Sequence, residues 1–325
     1  MAGLSPPDGP GTDSECRSEE DRAQVILVAA FSLAVAFVAL SVVINGAIFT
    51  QNLATRGDTA GGGDALQQRQ QAEQMVGDML EHTNANYSGT TDITGEFRSA
   101  VSDLSNASGF QQSVAGRAVD YTHLSASNGT RVYQDSPDNF TNASAGDNWT
   151  VAENVDNTRQ FDITITDTVE LEPPGNKPFA VNLTDTSSSD TWLLAIAEES
   201  GTLNLTATYT DAPDSFSATC TAPEPPSQEV GINITAGLFA GQPCEALRFA
   251  RNVSGGTDEL GTYDIRFNNT ENIEGTYQLT VDTTSVGDAP NDEPAVYSAT
   301  VEYTYRTANL VYETDIRVAP GEPDD

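Results

Sequence analysis

Three hydrophobic periodicities follow one another along the chain. From Ala23 to Phe49 no residue is charged, and only Gln24, Ser32, Ser41 and Asn45 are polar. A helix of that length covers about 40 Å at 1.5 Å per residue, more than the ~30 Å hydrocarbon core of a bilayer. A cleaved secretory signal has a shorter apolar stretch and a basic leader. Here the leader carries Asp13, Glu15, Glu19, Glu20 and Asp21. The run is therefore expected to be a transmembrane helix.

The next pattern has helical spacing. Gly61, Gly62 and Gly63 are expected to break or hinge the chain. From Ala65 to His82 the residues Leu66, Ala72, Val76, Met79 and Leu80 recur at three- and four-residue steps among Gln, Glu and Arg, predicting a membrane-proximal stalk helix. A second helical stretch is expected from Ile93 to Leu124, interrupted near Gly109. Its apolar stripe is Phe97, Val101, Leu104, Val114, Ala118 and Tyr121.

Beyond Gly129 the period becomes two. The segments 161–166, 203–209, 263–267, 277–281 and 301–305 alternate apolar with polar residues and are rich in Thr and aromatics, as half-buried strands are. Turn residues between them predict eight to ten antiparallel strands packed as a sandwich. Ala295–Tyr305 and Leu310–Val318 flank a turn at 306–309 and read as a hairpin, while Glu172–Pro178 and Pro223–Pro226 read as loops.

The expected fold is thus α+β: an N-terminal transmembrane helix, membrane-proximal helices, then a mainly antiparallel β-sandwich-like extracellular domain. The divisions are an acidic cytoplasmic tail or leader (1–22), the membrane helix (23–49), a stalk and helical region (50–128), the β-rich domain (129–319) and a free tail (320–325).

Charge adds an environment. The 48 Asp and Glu against 14 Lys and Arg give a net charge of −34, and Lys177 is the only lysine. Such a surface suits concentrated salt, where a Debye length of about 3 Å at 1 M screens self-repulsion. Nucleic acid is excluded as a partner, because duplex binding needs clustered cations and none cluster here.

Basic residues do not set the orientation, since Arg17 and Arg22 on one side are matched by Arg56 and Arg69 on the other. The Asn-x-Ser/Thr sequons do. All eleven follow the apolar run, at Asn86, Asn106, Asn128, Asn139, Asn142, Asn148, Asn182, Asn204, Asn233, Asn252 and Asn268, and are N-glycosylation candidates. Asn182, Asn204 and Asn233 each stand between two apolar residues, so in a strand they point to solvent while their neighbours point inward. Cys220 and Cys244, the only two cysteines beyond the membrane run, are expected to form a disulfide in an exported domain. Cys16 on the other side stays reduced or is acylated.

No catalytic, cofactor or metal constellation stands out. His82 and His123, both in stretches read as helical, are the only histidines and have no motif around them. There is no G-x-S-x-G, H-E-x-x-H, Walker loop or dinucleotide fingerprint, and the acidic stretch Asp288–Glu293 lacks the ordered spacing of a calcium loop. The chain is read as no enzyme.

The segment Asp21–Ala30, with Gln24 opening the apolar run, resembles the N-terminus of haloarchaeal archaellins and type IV pilin-like proteins. The stretch Asn45–Arg56 is similar to a group of haloarchaeal single-pass surface proteins. The pilin resemblance implies a peptidase cut between Ala23 and Gln24, after which the freed helix packs into a filament core. Val28 stands where such subunits usually have an acid, and the leader holds more acid than base. Both outcomes stay open: a processed subunit, or a permanently anchored one. The expected function is a single-pass, membrane-anchored cell-surface protein of a halophilic archaeon, structural or pilin-like, with the bilayer and other envelope subunits as partners. The alternative is a membrane-tethered binding or adhesion module.

Overall fold

The computed structural model describes residues 62–87, 92–211, 214–247 and 261–323. The expected membrane helix, the leader, Cys16, the Ala23–Gln24 junction and Asn252 lie outside the described residues. Among the described residues no helix is long and apolar enough to cross a membrane. The chain divides into two compact units, Met1–Leu66 and Gln67–Asp325, and the second holds both faces of the β-sandwich.

Helix α1, Gly62–Ala85, belongs to this second unit from Gln67 onward. Gly62 and Gly63, expected to interrupt the chain, instead start the helix. Ala72, Val76 and Leu80, spaced by four, are fully buried and form a narrow stripe, whereas Leu66 of the predicted stripe is exposed. Helix α2, Ile93–Ser113, is capped by Asp92, whose side chain accepts from the Thr94 N–H, and buries Ile93, Phe97 and Val101.

The second helix does not run to Leu124 as expected. The helix ends at Ser113, because Gly116 takes a left-handed φ of 71° and the Arg117 N–H closes back on the Gln112 carbonyl. Val114 is 84% exposed, and Ala118 and Tyr121 belong to a strand. Gly109 does not interrupt the helix. A Cβ there would lie 3.4 Å from the Val119 carbonyl, so the glycine lets helix and strand approach.

Fourteen strands follow among the described residues, more than the eight to ten expected. They are β1 Ala118–Asn139, β2 Asn148–Val155, β3 Thr158–Asp167, β4 Phe179–Asp185, β5 Thr191–Glu199, β6 Thr202–Asp211 and β7 Asp214–Pro223. Then come β8 Val230–Asn233, β9 Leu238–Phe239, β10 Gln242–Pro243, β11 Tyr263–Asn268, β12 Glu274–Val281, β13 Asn291–Arg306 and β14 Val311–Val318. An eight-stranded sheet has the order β10-β9-β8-β3-β12-β1-β13-β14, and a six-stranded sheet the order β2-β11-β4-β5-β6-β7. Each named strand pair is antiparallel. The surplus over expectation comes from strands such as β9 and β10, two residues each and too short to show a period.

The inward faces meet around Phe267. Its ring lies 5.4 Å from Phe179 and 5.6 Å from Trp149 of its own sheet, and 6.3 Å from Phe161 and 5.2 Å from Tyr277 of the other. Period-two alternation produces this core: Phe161, Ile163 and Ile165 are buried while Asp162 and Thr164 between them are not. The Cys220–Cys244 disulfide is present, joining edge strand β7 of one sheet to the segment after β10, the edge of the other. It staples one open side of the sandwich.

Strands β1 and β13 run on past the end of β12. β12 ends at Val281, opposite Thr130, so residues 118–129 of β1 pair only with β13. Helix α2 takes the vacant edge: the Tyr121 N–H donates to Ser105 Oγ at 3.0 Å, and Ser105 Oγ donates to Asp120. Covering an edge in this way removes a template for unwanted strand pairing.

The C-terminal tail, expected to be free, is tied down as far as Glu322. Arg159, fully buried, donates to the carbonyls of Pro320 at 2.8 Å and Val296 at 3.1 Å, and the Gln160 N–H donates to the Gly321 carbonyl. Burial lowers the Arg159 pKa to about 10. Glu322 accepts from Tyr297 Oη and from both terminal nitrogens of Arg317. Helix α1 joins the same knot: the Asn84 amide bonds both the N–H and the carbonyl of Val296, and Glu81 accepts from Gln160.

Candidate functional site

The outer face of the eight-stranded sheet holds a cavity of about 440 Å³ over β1, β12, β3 and β8. Strand register builds it. Tyr133 is opposite Gln278, Gln278 opposite Asp162, and Asp162 opposite Asn233, so four planar polar side chains form one row across four strands. In the neighbouring row Thr276 faces Thr164 and Thr164 faces Gly231. A Cβ at Gly231 would meet nothing within 4 Å, so the missing side chain leaves open space beside the polar row.

The row is linked by hydrogen bonds. Gln278 Nε2 donates to Asp162 Oδ2 at 3.4 Å, and Gln278 Oε1 accepts from Arg131 Nη2 at 3.2 Å. The Arg131 guanidinium lies 4.2 Å from the Tyr133 ring centre and 3.9 Å from Glu293, which accepts from Tyr133 Oη at 3.0 Å. Burial raises the Asp162 pKa, and the Gln278 bond only partly offsets it. Tyr133 is also raised, by burial first and then by its bond to Glu293. The guanidinium of Arg131 is engaged on both sides, so free acceptor capacity dominates the cavity.

Sequence singles out none of Arg131, Tyr133, Asp162 and Gln278: the last two are polar positions of alternating segments, and the first two fall in no segment read as a strand. Nothing in one strand's period says which residue of another strand it will face. The acidic stretch Asp288–Glu293 is divided in the fold: Asp288 accepts from Ser144 Oγ at 2.6 Å, while Glu293 belongs to the groove network. Among the described residues no cluster of three or more His, Cys, Asp or Glu is arranged to hold a metal.

His82 is exposed on α1. His123 lies on β1 rather than on a helix. It meets the Phe97 ring at 6.0 Å, and burial lowers its pKa.

Ten of the eleven sequon asparagines are described. Asn86, Asn106, Asn128 and Asn148 are exposed, and Asn139, Asn142, Asn182, Asn204, Asn233 and Asn268 are half-buried. The flanking residues of Asn182, Asn204 and Asn233 are all buried, as period two requires. Their amides differ in engagement. Asn139 Nδ2 donates to the carbonyls of both Glu271 and Ile273, so a glycan on that nitrogen breaks one of the two bonds. Asn142 and Asn233 are instead held through Oδ1, the latter by the Ala236 N–H at 2.6 Å and Thr235 Oγ1 at 3.3 Å.

Residues 19–169 match the model of a family of unknown function, DUF7261. The matched stretch takes in the long apolar run, both helices and strands β1 to β3. No match was found among curated proteins or among solved structures.

Proposed function

We propose that this chain is a single-pass, membrane-anchored cell-surface protein of a halophilic archaeon that displays the sandwich outside the cell as a structural, pilin-like envelope component. One observation carries the reading: every described sequon asparagine reaches solvent, although half-buried strands supply several of them. The Cys220–Cys244 bond also favours an oxidising exterior. The uncharged run 23–49 supplies the anchor, and the carboxylate excess suits the medium. The domain has no catalytic role in this reading.

The test is topology on intact cells. External protease is expected to remove sequence beyond about Arg56 while residues before Arg22 stay protected, with glycans recovered on several sequon peptides. A reporter fused after Asp325 that is active only in the cytoplasm overturns the orientation. The mature N-terminus separates the two structural variants: a start at Gln24 indicates a processed pilin-like subunit, and an intact N-terminus a permanent anchor.

The binding-module alternative is favoured by a different observation, the polar groove across β1, β12, β3 and β8. Its row of Tyr133, Gln278, Asp162 and Asn233 offers several hydrogen-bonding side chains side by side on one face.

A further inference from the structure

We propose that the groove over β1, β12, β3 and β8 is a saccharide-binding site, in which Asp162, Gln278 and Tyr133 hold the hydroxyls of a neutral sugar chain and Asn233 marks its end. This deepens the binding-module alternative.

The chemistry of the lining selects the ligand class. The volume, about 440 Å³, falls within the roughly 300–1,000 Å³ of small-molecule sites. Asp135 and Asp162 outnumber the one cation of the lining, Arg131, which is already bonded to Gln278 and lies close to Glu293 beyond the lining, so an anionic ligand is repelled. An apolar ligand would leave the Asp162 carboxylate and the Gln278 amide desolvated without new partners. A metal ion lacks a cluster of acids to hold it among the described residues. What remains is a neutral ligand rich in groups that both donate and accept, which describes sugar hydroxyls.

Geometry agrees. Asp162 receives only a long 3.4 Å bond from Gln278, and its oxygens have lone pairs left for incoming O–H donors. The amide of Gln278 and the hydroxyl of Tyr133 continue the row at strand spacing, about 4.8 Å per step. A chain of hydroxyl-bearing rings laid across the strands meets one planar polar side chain after another.

The sugar has two sources. Asn233 lines the same cavity, faces Asp162 in register and belongs to a sequon. Its Oδ1 is fixed by two bonds, which leaves Nδ2 as the amide atom to carry a glycan. A glycan grown from Asn233 starts inside the groove. Alternatively, Asn233 is bare and the groove takes a saccharide from another molecule.

The experiment uses full-length protein purified in detergent and high salt from its native membranes, as wild type, Asp162→Asn, and Tyr133→Ala combined with Gln278→Ala. Circular dichroism and an unfolding midpoint check each fold, and Asp162→Asn, which keeps the side-chain shape, guards against loss by misfolding. Glycopeptide mass spectrometry reads Asn233. If it is occupied, the proposal expects its glycan to resist mild periodate at least tenfold better than the glycans on the other occupied sequons, with the difference lost in the double variant. If Asn233 is bare, a panel of neutral mono- to tetrasaccharides, built from glucose, galactose, mannose and N-acetylglucosamine, is titrated. Binding at millimolar or tighter affinity, weakened at least tenfold by Asp162→Asn, supports the external source. Equal periodate sensitivity at an occupied Asn233, or no binding by a bare one, overturns the proposal. Only the glycan arm requires an exported domain; the titration arm is read on a bare Asn233 in either topology, so the proposal fails separately from the surface-anchor reading.

Discussion

At Asp185, four hydrogen bonds converge on one carboxylate. Oδ1 accepts from the N–H and hydroxyl of Ser187 and from the Ser188 N–H at 2.7–2.8 Å, and Oδ2 from the Gly261 N–H at 2.9 Å. Burial alone would raise its pKa, but these donors prevail and hold it at about 2, below the ordinary 3.8. A carboxyl depressed on folding stabilises the native state above the unfolded pKa, and that contribution is lost as pH falls through the folded one. Asp185→Ala is therefore expected to cost about 1–3 kcal/mol at neutral pH. Denaturant titrations of both proteins should converge as pH falls from about 4 to about 2. A gap that stays constant across that window counts against the assignment. Asp162 has the opposite balance: burial prevails over a single long bond and its pKa rises. One carboxylate is built into the fold, and the other is left in want of a partner.

Among the elements, the sandwich edges are treated differently. Helix α2 covers the open flank of β1, and the disulfide staples β7 to the segment after β10. Closing that loop removes roughly 3 kcal/mol of unfolded-state freedom. Cys220→Ser with Cys244→Ser is expected to lower the thermal midpoint by about 6–12 °C. Both thiols of the wild type should resist alkylation until reduced. An unchanged midpoint in the double variant would show that Ala246 and Leu247, both buried, seal this side without the bond. Sequence alone misplaces the end of α2, because Val114, Ala118 and Tyr121 recur at helical four- and three-residue steps, whereas the strand that forms buries Val119 and Tyr121 and exposes Ala118. Gly116 decides, since only after its left-handed turn does the chain reverse along β13.

For the whole molecule the governing quantity is net charge. With −34 on 325 residues, and few close ion pairs among the described residues, self-repulsion loosens the fold wherever screening is weak. The unfolding midpoint should rise steadily between about 0.1 M and about 2 M NaCl, while sucrose at matched osmolality fails to replace the salt. A midpoint independent of NaCl would defeat this expectation.

Periodicity by itself located strand segments at 161–166, 203–209, 263–267 and 277–281, the final hairpin with its 306–309 turn, the loop at 172–178 and the outward aim of Asn182, Asn204 and Asn233, because one strand's burial pattern is a local property. The pairing of Cys220 with Cys244 was legible for a simpler reason: no third cysteine beyond the long apolar run competes. Only the tertiary structure decided the rest. Nothing in the sequence marks Arg159, yet it is the buried tie between β3, β13 and the tail. The groove was illegible in the same way: Tyr133, Gln278, Asp162 and Asn233 are distant in the chain, and only register across four strands sets them side by side. Register is fixed by burying both sheet faces at once, a condition on the whole molecule that no single segment contains.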